Sequence, residues 1–445
     1  MLSPLTFKLL NPFWRLLDWL LPKRHDYWAF STHHIHTGRF IENQRALFEQ
    51  VKADPTIRKL VFYRGVPDDW HIEDAVNYQA IEHGTLRAFW LLAQCKVVLL
   101  THSVSMDFSL RWPGGRFAVV KLNSRRRVIV NLWHGVALKR LLATANSATQ
   151  RHTDRVAYRR AERRQYAGLV ASSDVDSYAM AAMFYPLGYQ QVWLTGLPRN
   201  DFLSLPEVRL PRYIQDSLQL LRQIRQGKKL IVYAPTYRQT SVSDSAWYYQ
   251  FSEEEISALK EFLQANNAIL GYRPHYFKNT DTFFNLDQFI DNQLIFDLSQ
   301  AVIPEYSALA RELDVLVTDY SSVYMEALYL NKPVICFGYD IEHYRNQQDG
   351  LLYDMELAFP GPVISEFAAL LPAIGERLQA TAEQTCAEQA TAKRMFLSTV
   401  MRKIASGLWS GYGRHYCLGN NFLNCLGLRR LSNTAATTTV SSITE

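Results

Sequence analysis

The chain has 445 residues, 48% of them hydrophobic and 20% charged, with a formal net charge of +6 at pH 7. That length supports two or three domains, each with its own core, and that composition excludes a fibrous or wholly disordered chain. Five cysteines, with no CxxC pair and no metal-like spacing, argue against a disulfide framework and for a reducing compartment.

Residues 1–24 come first. Asn11-Pro12 has the form of an N-cap followed by proline at the first helical position. From Phe13 to Leu21 large apolar residues cover most of a short helix; Arg15 and Asp18 leave a narrow polar stripe, and Lys23 and Arg24 close it. No run in the chain reaches the roughly 18 apolar residues of a membrane span, and the start lacks the pattern of a signal peptide. The segment is therefore expected to lie in a membrane interface with its tryptophans at headgroup level. The competing expectation is a helix docked on the protein's own core.

From Tyr27 onward short apolar runs alternate with helical stretches. Strands are expected at 28–30, 60–63, 97–100, 128–130, 169–171 and 192–194, and helices at 42–51, 85–92 and 178–184. This rhythm predicts a doubly wound parallel sheet. His33, His34 and His36 sit in a loop with no carboxylate at ligand spacing, so they are taken as loop histidines and not as a metal site. Pro198, Pro206 and Pro211 mark an interdomain link. The expected division is an N-terminal Rossmann-like domain over 25–205 and a second over 206–406. The rhythm then restarts, with strands at 229–233, 268–272, 294–296, 315–318 and 334–337 and a helix at 253–266. Residues 364–406 have a helical pattern. Residues 407–445 form a basic segment and a Ser/Thr/Ala tail expected to be disordered.

Charge is unevenly spread. Between Lys139 and Arg164 eight cationic residues face Asp154 and Glu162 alone, a local excess equal to that of the whole chain. Arg402 to Thr444 holds five cationic residues and no acidic one. Such clusters suit a polyanionic partner or an anionic membrane surface, or else a solvated helix face. Nothing in the chain points to a nucleic acid. Arg151, Arg155 and Arg159 recur every four residues and so share one helix face.

Ligands of doubly wound sheets bind beyond the C-terminal ends of the strands. Thr236, Arg238, Arg273, His275, Asp319, Ser321 and Ser322 all stand at such ends. The strand at 315–318 breaks at Asp319-Tyr320-Ser321-Ser322 into a helix-like segment, where hydroxyls and backbone N–H groups form an anion site or simply helix caps. His134 leaves the strand at 128–130, and His275 lies on the matching edge of the second sheet. Across a two-domain cleft the two would meet one substrate, and imidazole accepts a hydroxyl proton at neutral pH.

An ordered set of motifs runs through residues 27–365. It comprises Trp133-His134-Gly135 with Leu138-Lys139, then Thr195-Gly196-Leu197-Pro198-Arg199-Asn200-Asp201, then Tyr233-Ala234-Pro235-Thr236-Tyr237-Arg238 and Arg273-Pro274-His275. Thr318-Asp319-Tyr320-Ser321-Ser322, Lys332-Pro333, Tyr339-Asp340 with Glu342-His343-Tyr344, and Pro360-Gly361-Pro362 complete it. Together they resemble the CDP-glycerol glycerophosphotransferases, the polyol-phosphate transferases and polymerases of teichoic-acid and related capsule synthesis. The resemblance implies an α/β fold of GT-B type, with the active site between two Rossmann-like domains. It implies His134 as catalytic base and His275 as a second active-site histidine near the donor diphosphate. Thr236, Arg273, Ser321 and Ser322 match positions that hold the donor phosphates, and Arg238 joins them from its strand end. Asp319, Asp340 and Arg199 match less defined cleft positions. Lys139, with Arg151, Arg155 and Arg159, would receive a phosphate-rich acceptor.

Three features depart from the family pattern: Val136-Ala137 replace a usual Thr-Pro, Tyr276 replaces a frequent Pro, and the Arg-rich stretch and basic C-terminus are extra. The implied reaction is in-line attack by an acceptor hydroxyl on the distal phosphorus of a CDP-polyol, with release of CMP. Glycerol is the leading polyol and ribitol the alternative. The implied partners are the CDP-polyol donor, a lipid-linked or polymeric acceptor and the inner face of the cell membrane. The sequence calls for no cofactor and carries no dedicated ligand set for a divalent metal. Two rival readings are a GT-B sugar-nucleotide glycosyltransferase and a non-enzymatic polyanion binder at the membrane.

Overall fold

The computed structural model describes residues 3–33, 38–110, 118–146, 156–238, 248–275, 285–348 and 350–397. Two all-parallel sheets dominate it. The first contains β1 (Arg24–Ser31), β2 (Arg58–Tyr63), β3 (Tyr78–Glu82), β4 (Cys95–Leu100), β5 (Val128–Asn131), β6 (Gly168–Ala171) and β7 (Val192–Leu194), in the order β3-β2-β1-β4-β5-β6-β7. The second contains β8 (Lys229–Ala234), β9 (Ala268–Tyr272), β10 (Ile295–Asp297), β11 (Val315–Thr318), β12 (Val334–Phe337) and β13 (Val363–Ile364), in the order β10-β9-β8-β11-β12-β13. Each sheet winds outward from its first strand and then reverses, between β1 and β4 and between β8 and β11. Those two reversals are the switch points where crevices open above a doubly wound sheet.

The central strands are buried along their length because helices cover both faces of each sheet. All residues of β11 and β12 are buried, as their near-continuous apolar sequences require. Two strands escape the sequence pattern. In β3 only Ile81 is buried, as suits an edge strand, and β13 is two residues long. The helix expected at 178–184 begins earlier, at Asp174, where the Ser173 hydroxyl accepts from the Asp176 N–H at 3.0 Å and caps it.

The two halves touch extensively. Val136, Leu138 and Phe202 from the first share a core with Leu316, Tyr320 and Tyr324 from the second. Beyond β13 the chain returns to the first half, and the helix Ala390–Phe396 packs on Asp174–Met183. Polar ties are Arg199 to Glu326 at 2.6 Å, Glu42 N–H to the Glu305 carboxylate at 2.8 Å, and Arg140 Nε to the Leu351 carbonyl at 3.0 Å.

The N-terminal helix differs from expectation. It runs Pro4–Leu20, capped by Ser3, with Pro4 at its first turn and Pro12 in its interior. Asn11 does not cap; its amide instead donates to the Val119 carbonyl at 3.1 Å. Trp14 is buried and its Nε1 donates to the Lys121 carbonyl at 3.0 Å. Asp18 binds Lys23 at 3.1 Å and also Arg127. Arg126 donates to the carbonyls of Asp18, Trp19 and Leu21 at 2.7, 2.8 and 3.0 Å, which satisfies the open end of the helix. One face is thus docked on the protein. The opposite face leaves Leu5, Leu9, Leu16, Trp19 and Leu20 at 56–71% exposure.

The basic segment from Arg402 and the tail to residue 445 lie outside the described residues. Trp14→Ala should remove about 3–5 kcal/mol of stability, read as a lower midpoint in urea unfolding followed by circular dichroism.

Candidate active site

A cavity of about 290 Å³ opens between the two switch points, lined from the first half by His102, His134 and Lys139 and from the second by Thr236, Arg273, His275, Ser321 and Ser322. The walls nearly touch. A Cβ built on Gly135 would lie 2.5 Å from Ser322 Oγ, so a side chain after His134 would have to turn that hydroxyl aside.

His134 is held from several sides. Trp133, just before it, takes a left-handed φ of 53°. That strained backbone is fixed by Asn43, whose amide donates to the Trp133 carbonyl at 2.9 Å, and by Asn131, whose side chain accepts from Trp133 N at 2.8 Å. The imidazole lies between the Trp133 ring at 4.0 Å and the His102 ring at 4.7 Å, centroid to centroid. Behind it, buried Asp176 accepts from Ala137 N at 2.9 Å and Ser172 N at 2.8 Å, bracing the loop. Burial first, then His102, Arg199 and Lys139, hold the His134 pKa well below the usual histidine value. It is therefore neutral at pH 7.

His275 is neutral too, pushed down to about 3 by burial and then by Lys139, His33 and Arg273. It therefore offers the cavity a neutral imidazole and not a standing cation. Arg273 has its Nη1 on the carbonyls of Leu298 at 2.9 Å and Ile303 at 2.5 Å, and it lines the cavity. Thr236 Oγ1 is buried at the cavity wall and has no protein partner. Its backbone N–H donates to both Asp319 oxygens, at 2.9 and 3.0 Å.

Four expected donor contacts have other surroundings. The Arg238 side chain is 1% exposed; it makes paired bonds to Asp340 at 2.8 and 2.9 Å and an ion pair with Asp319 at 2.9 Å. Tyr320 adds its hydroxyl to Asp340 at 3.0 Å. Arg238, Asp319 and Asp340 thus satisfy one another behind the cavity instead of lining it, because a buried charge needs a paired, hydrogen-bonded partner. Arg199 lines the cavity but spends its guanidinium on Glu326. The Ser321-Ser322 turn leads into a helix of six residues, Tyr324–Tyr329, so its hydroxyls matter more than any helix dipole.

Of the residues expected to receive an acceptor, Lys139 lines the cavity. Arg159 lies beside buried Glu162 and Tyr166, away from the cavity. Arg151 and Arg155 fall outside the described residues. Sequence reasoning passed over His102 and set His33 aside as a loop residue. Yet Thr32-His33 and Thr101-His102 follow β1 and β4, so the strand-end rule applied to them as well. Glu42, Asn43 and Glu305 carry no local signal; they meet the site only through the fold.

The model of the CDP-Glycerol:Poly(glycerophosphate) glycerophosphotransferase family matches residues 16–399. The chain belongs to that family. Among its glycerophosphotransferase relatives, the teichoic acid glycerol-phosphate transferase of Staphylococcus aureus is 25% identical over 76% of this chain and 81% of that protein. The teichoic acid poly(glycerol phosphate) polymerase of Bacillus spizizenii is 27% identical over 56% of this chain, which spans 61% of that polymerase. The teichoic acid ribitol-phosphate primase of the same species is 24% identical over 80% of this chain and 84% of that protein. The solved structure of the wall teichoic acid polymerase TagF superposes with a TM-score of 0.62 at 19% identity, covering 90% of this chain and 93% of that one. It shows the shared two-sheet, GT-B-type fold.

Two outcomes test this anatomy. Asp340→Ala should cost about 1–3 kcal/mol by removing both of its bonds to Arg238, which keeps Asp319, whereas Ser321→Ala with Ser322→Ala should leave the thermal midpoint nearly unchanged. Burial, with Glu42 beside it, raises Glu305 from 4.5 to about 7. The folded protein then holds this proton more tightly than the unfolded chain, so stability falls as pH rises from about 4.5 to about 7. Glu305→Gln should flatten that slope in urea titrations run across the range.

Proposed function

We propose that the chain transfers a polyol phosphate, glycerol phosphate foremost, from a CDP-activated donor to a hydroxyl of a membrane-borne or polymeric acceptor, releasing CMP. The observation that carries this reading is the meeting, in one cavity, of a neutral imidazole with hydroxyls and a guanidinium suited to a phosphate. His134 on one wall faces Thr236, Ser321, Ser322 and Arg273 on the other. Membership of the family and the names of the relatives support the donor class. They include both glycerol and ribitol enzymes, so ribitol stays as the alternative polyol.

In this reading the acceptor hydroxyl gives its proton to His134 as its oxygen attacks the distal phosphorus in line. The phosphoanhydride bond breaks and CMP leaves with the bridging oxygen. Catalysis then rests on positioning and on offsetting charge that grows on the diphosphate. Arg273 and Lys139 supply cationic charge, while the hydroxyls of Thr236, Ser321 and Ser322 and the imidazole of His275 supply donors. A bound diphosphate favours a proton on His275 and strengthens that contact. Arg238, Asp319 and Asp340 hold the strand ends that carry these donors, and Arg199 ties the two walls together.

The same reading sets the enzyme at the inner face of the cell membrane. The exposed stripe of Leu5, Leu9, Leu16, Trp19 and Leu20 adjoins the helix Leu86–Gln94, where Phe89 meets Phe13 edge to face and Leu86 and Trp90 stay exposed. Lys8, Arg15 and Arg87 are exposed around this surface. An apolar stripe edged with cations suits an anionic bilayer surface.

Two experiments bear on these statements. With CDP-glycerol and a lipid-linked acceptor, His134→Ala should release CMP at least about 100-fold more slowly than wild type; equal rates would refute the base assignment. The combined change Leu9→Glu, Leu16→Glu and Trp19→Glu should abolish co-flotation with phosphatidylglycerol vesicles. Unchanged flotation would remove this surface from the reading.

A further inference from the structure

Among the described residues, His102 is the imidazole that faces His134 ring to ring, with planes 20° apart. It lines the cavity beside the base. A carboxylate stands behind it: Asp107 Oδ1 lies 3.6 Å from His102 Nδ1, within ion-pair range. Asp107 is itself buried and fixed, its Oδ2 accepting from Thr101 N at 2.8 Å and His102 N at 2.9 Å. On the far side, the Asn131 amide donates to the His102 carbonyl at 3.1 Å while its oxygen accepts from Trp133 N. The ends of β4 and β5 are therefore locked to each other, and each carries one ring of the stack. A third ring, His33, stands edge-on to His102 at 6.3 Å.

We propose that His102, backed by Asp107, is a positioning residue for His134: its ring fixes the plane of the base, and its charge sets the pH below which the base is lost. This deepens the functional reading above and rests on it. Stacking between two rings restricts rotation of His134 about its Cβ–Cγ bond and holds one nitrogen toward the acceptor. Asp107 favours a proton on His102 Nδ1. A charge on His102 in turn opposes a second charge on His134, so the base stays free as pH falls. The other groups facing His134 are Lys139 on its own loop and Arg199 after β7, both cationic. Around His102 and His33 the charges are Asp107, Glu42 and Arg39.

The test uses the full chain labelled with 13C at histidine Cε1, with the His134 signal assigned by its loss in His134→Asn. The His134 protonation midpoint is then followed by NMR without any donor. His102→Phe keeps a flat ring but no charge. The His134 midpoint and the acid limb of kcat/KM should both move upward by roughly half a pH unit or more. His102→Ala removes the ring as well, and kcat should fall about tenfold with the donor KM unchanged. Asp107→Asn should shift the midpoint in the same direction as His102→Phe. An unmoved His134 midpoint in His102→Phe would overturn the charge role, and full kcat in His102→Ala would overturn the positioning role. The midpoint is read without substrate. If wild type turned over no CDP-polyol, the functional reading would fail while the coupling between the two rings would still be decided.

Discussion

One buried guanidinium organises the donor side of the cleft. Arg238 lies between Asp319 and Asp340 and so joins the chain ends that leave β8, β11 and β12. Each charge alone would be costly in an apolar interior; paired and hydrogen-bonded, the three fix one arrangement of three loops. Asp319 also takes the Thr236 N–H, and that bond sets where the Thr236 hydroxyl stands. The cavity-lining groups of this wall are thus aimed by a network that does not itself line the cavity. Its contribution is specificity of arrangement more than stability, since an apolar replacement of similar shape can be as stable as a buried ion pair.

The acceptor side solves the same problem with backbone strain and stacking. Trp133 is held in a left-handed conformation by Asn43 and Asn131, and the strain turns His134 out of the strand direction toward the cleft. Asn43 also accepts from Arg199 N at 3.0 Å, so one side chain links the His134 loop to the residue that pairs with Glu326 in the second half. Orientation of the base and contact between the halves are coupled through it.

The parallel sheets were legible because the strands are short apolar runs buried on both faces, and such runs leave a plain pattern. The edge strand β3 left none, since a single buried residue, Ile81, makes no alternation. The cavity was legible where its lining follows strand ends: His134, His275, Thr236, Arg273, Ser321 and Ser322 line it together. It was misread where a charged residue at a strand end is spent on another charge, as with Arg238 and Asp340. No local pattern separates a phosphate-binding arginine from one locked to two aspartates, because the partners are 81 and 102 residues away. The N-terminal helix misled for a related reason. Asn11-Pro12 has the form of a start, but the Asn11 side chain is bound to a distant carbonyl.

The narrow gap between Gly135 and Ser322 has a thermodynamic consequence. The Ser322 hydroxyl occupies the space that a side chain at Gly135 would take. A side chain at that position would have to turn that hydroxyl aside or part the walls, so the packing at one glycine and the ties between the halves, such as Arg199 with Glu326, are linked.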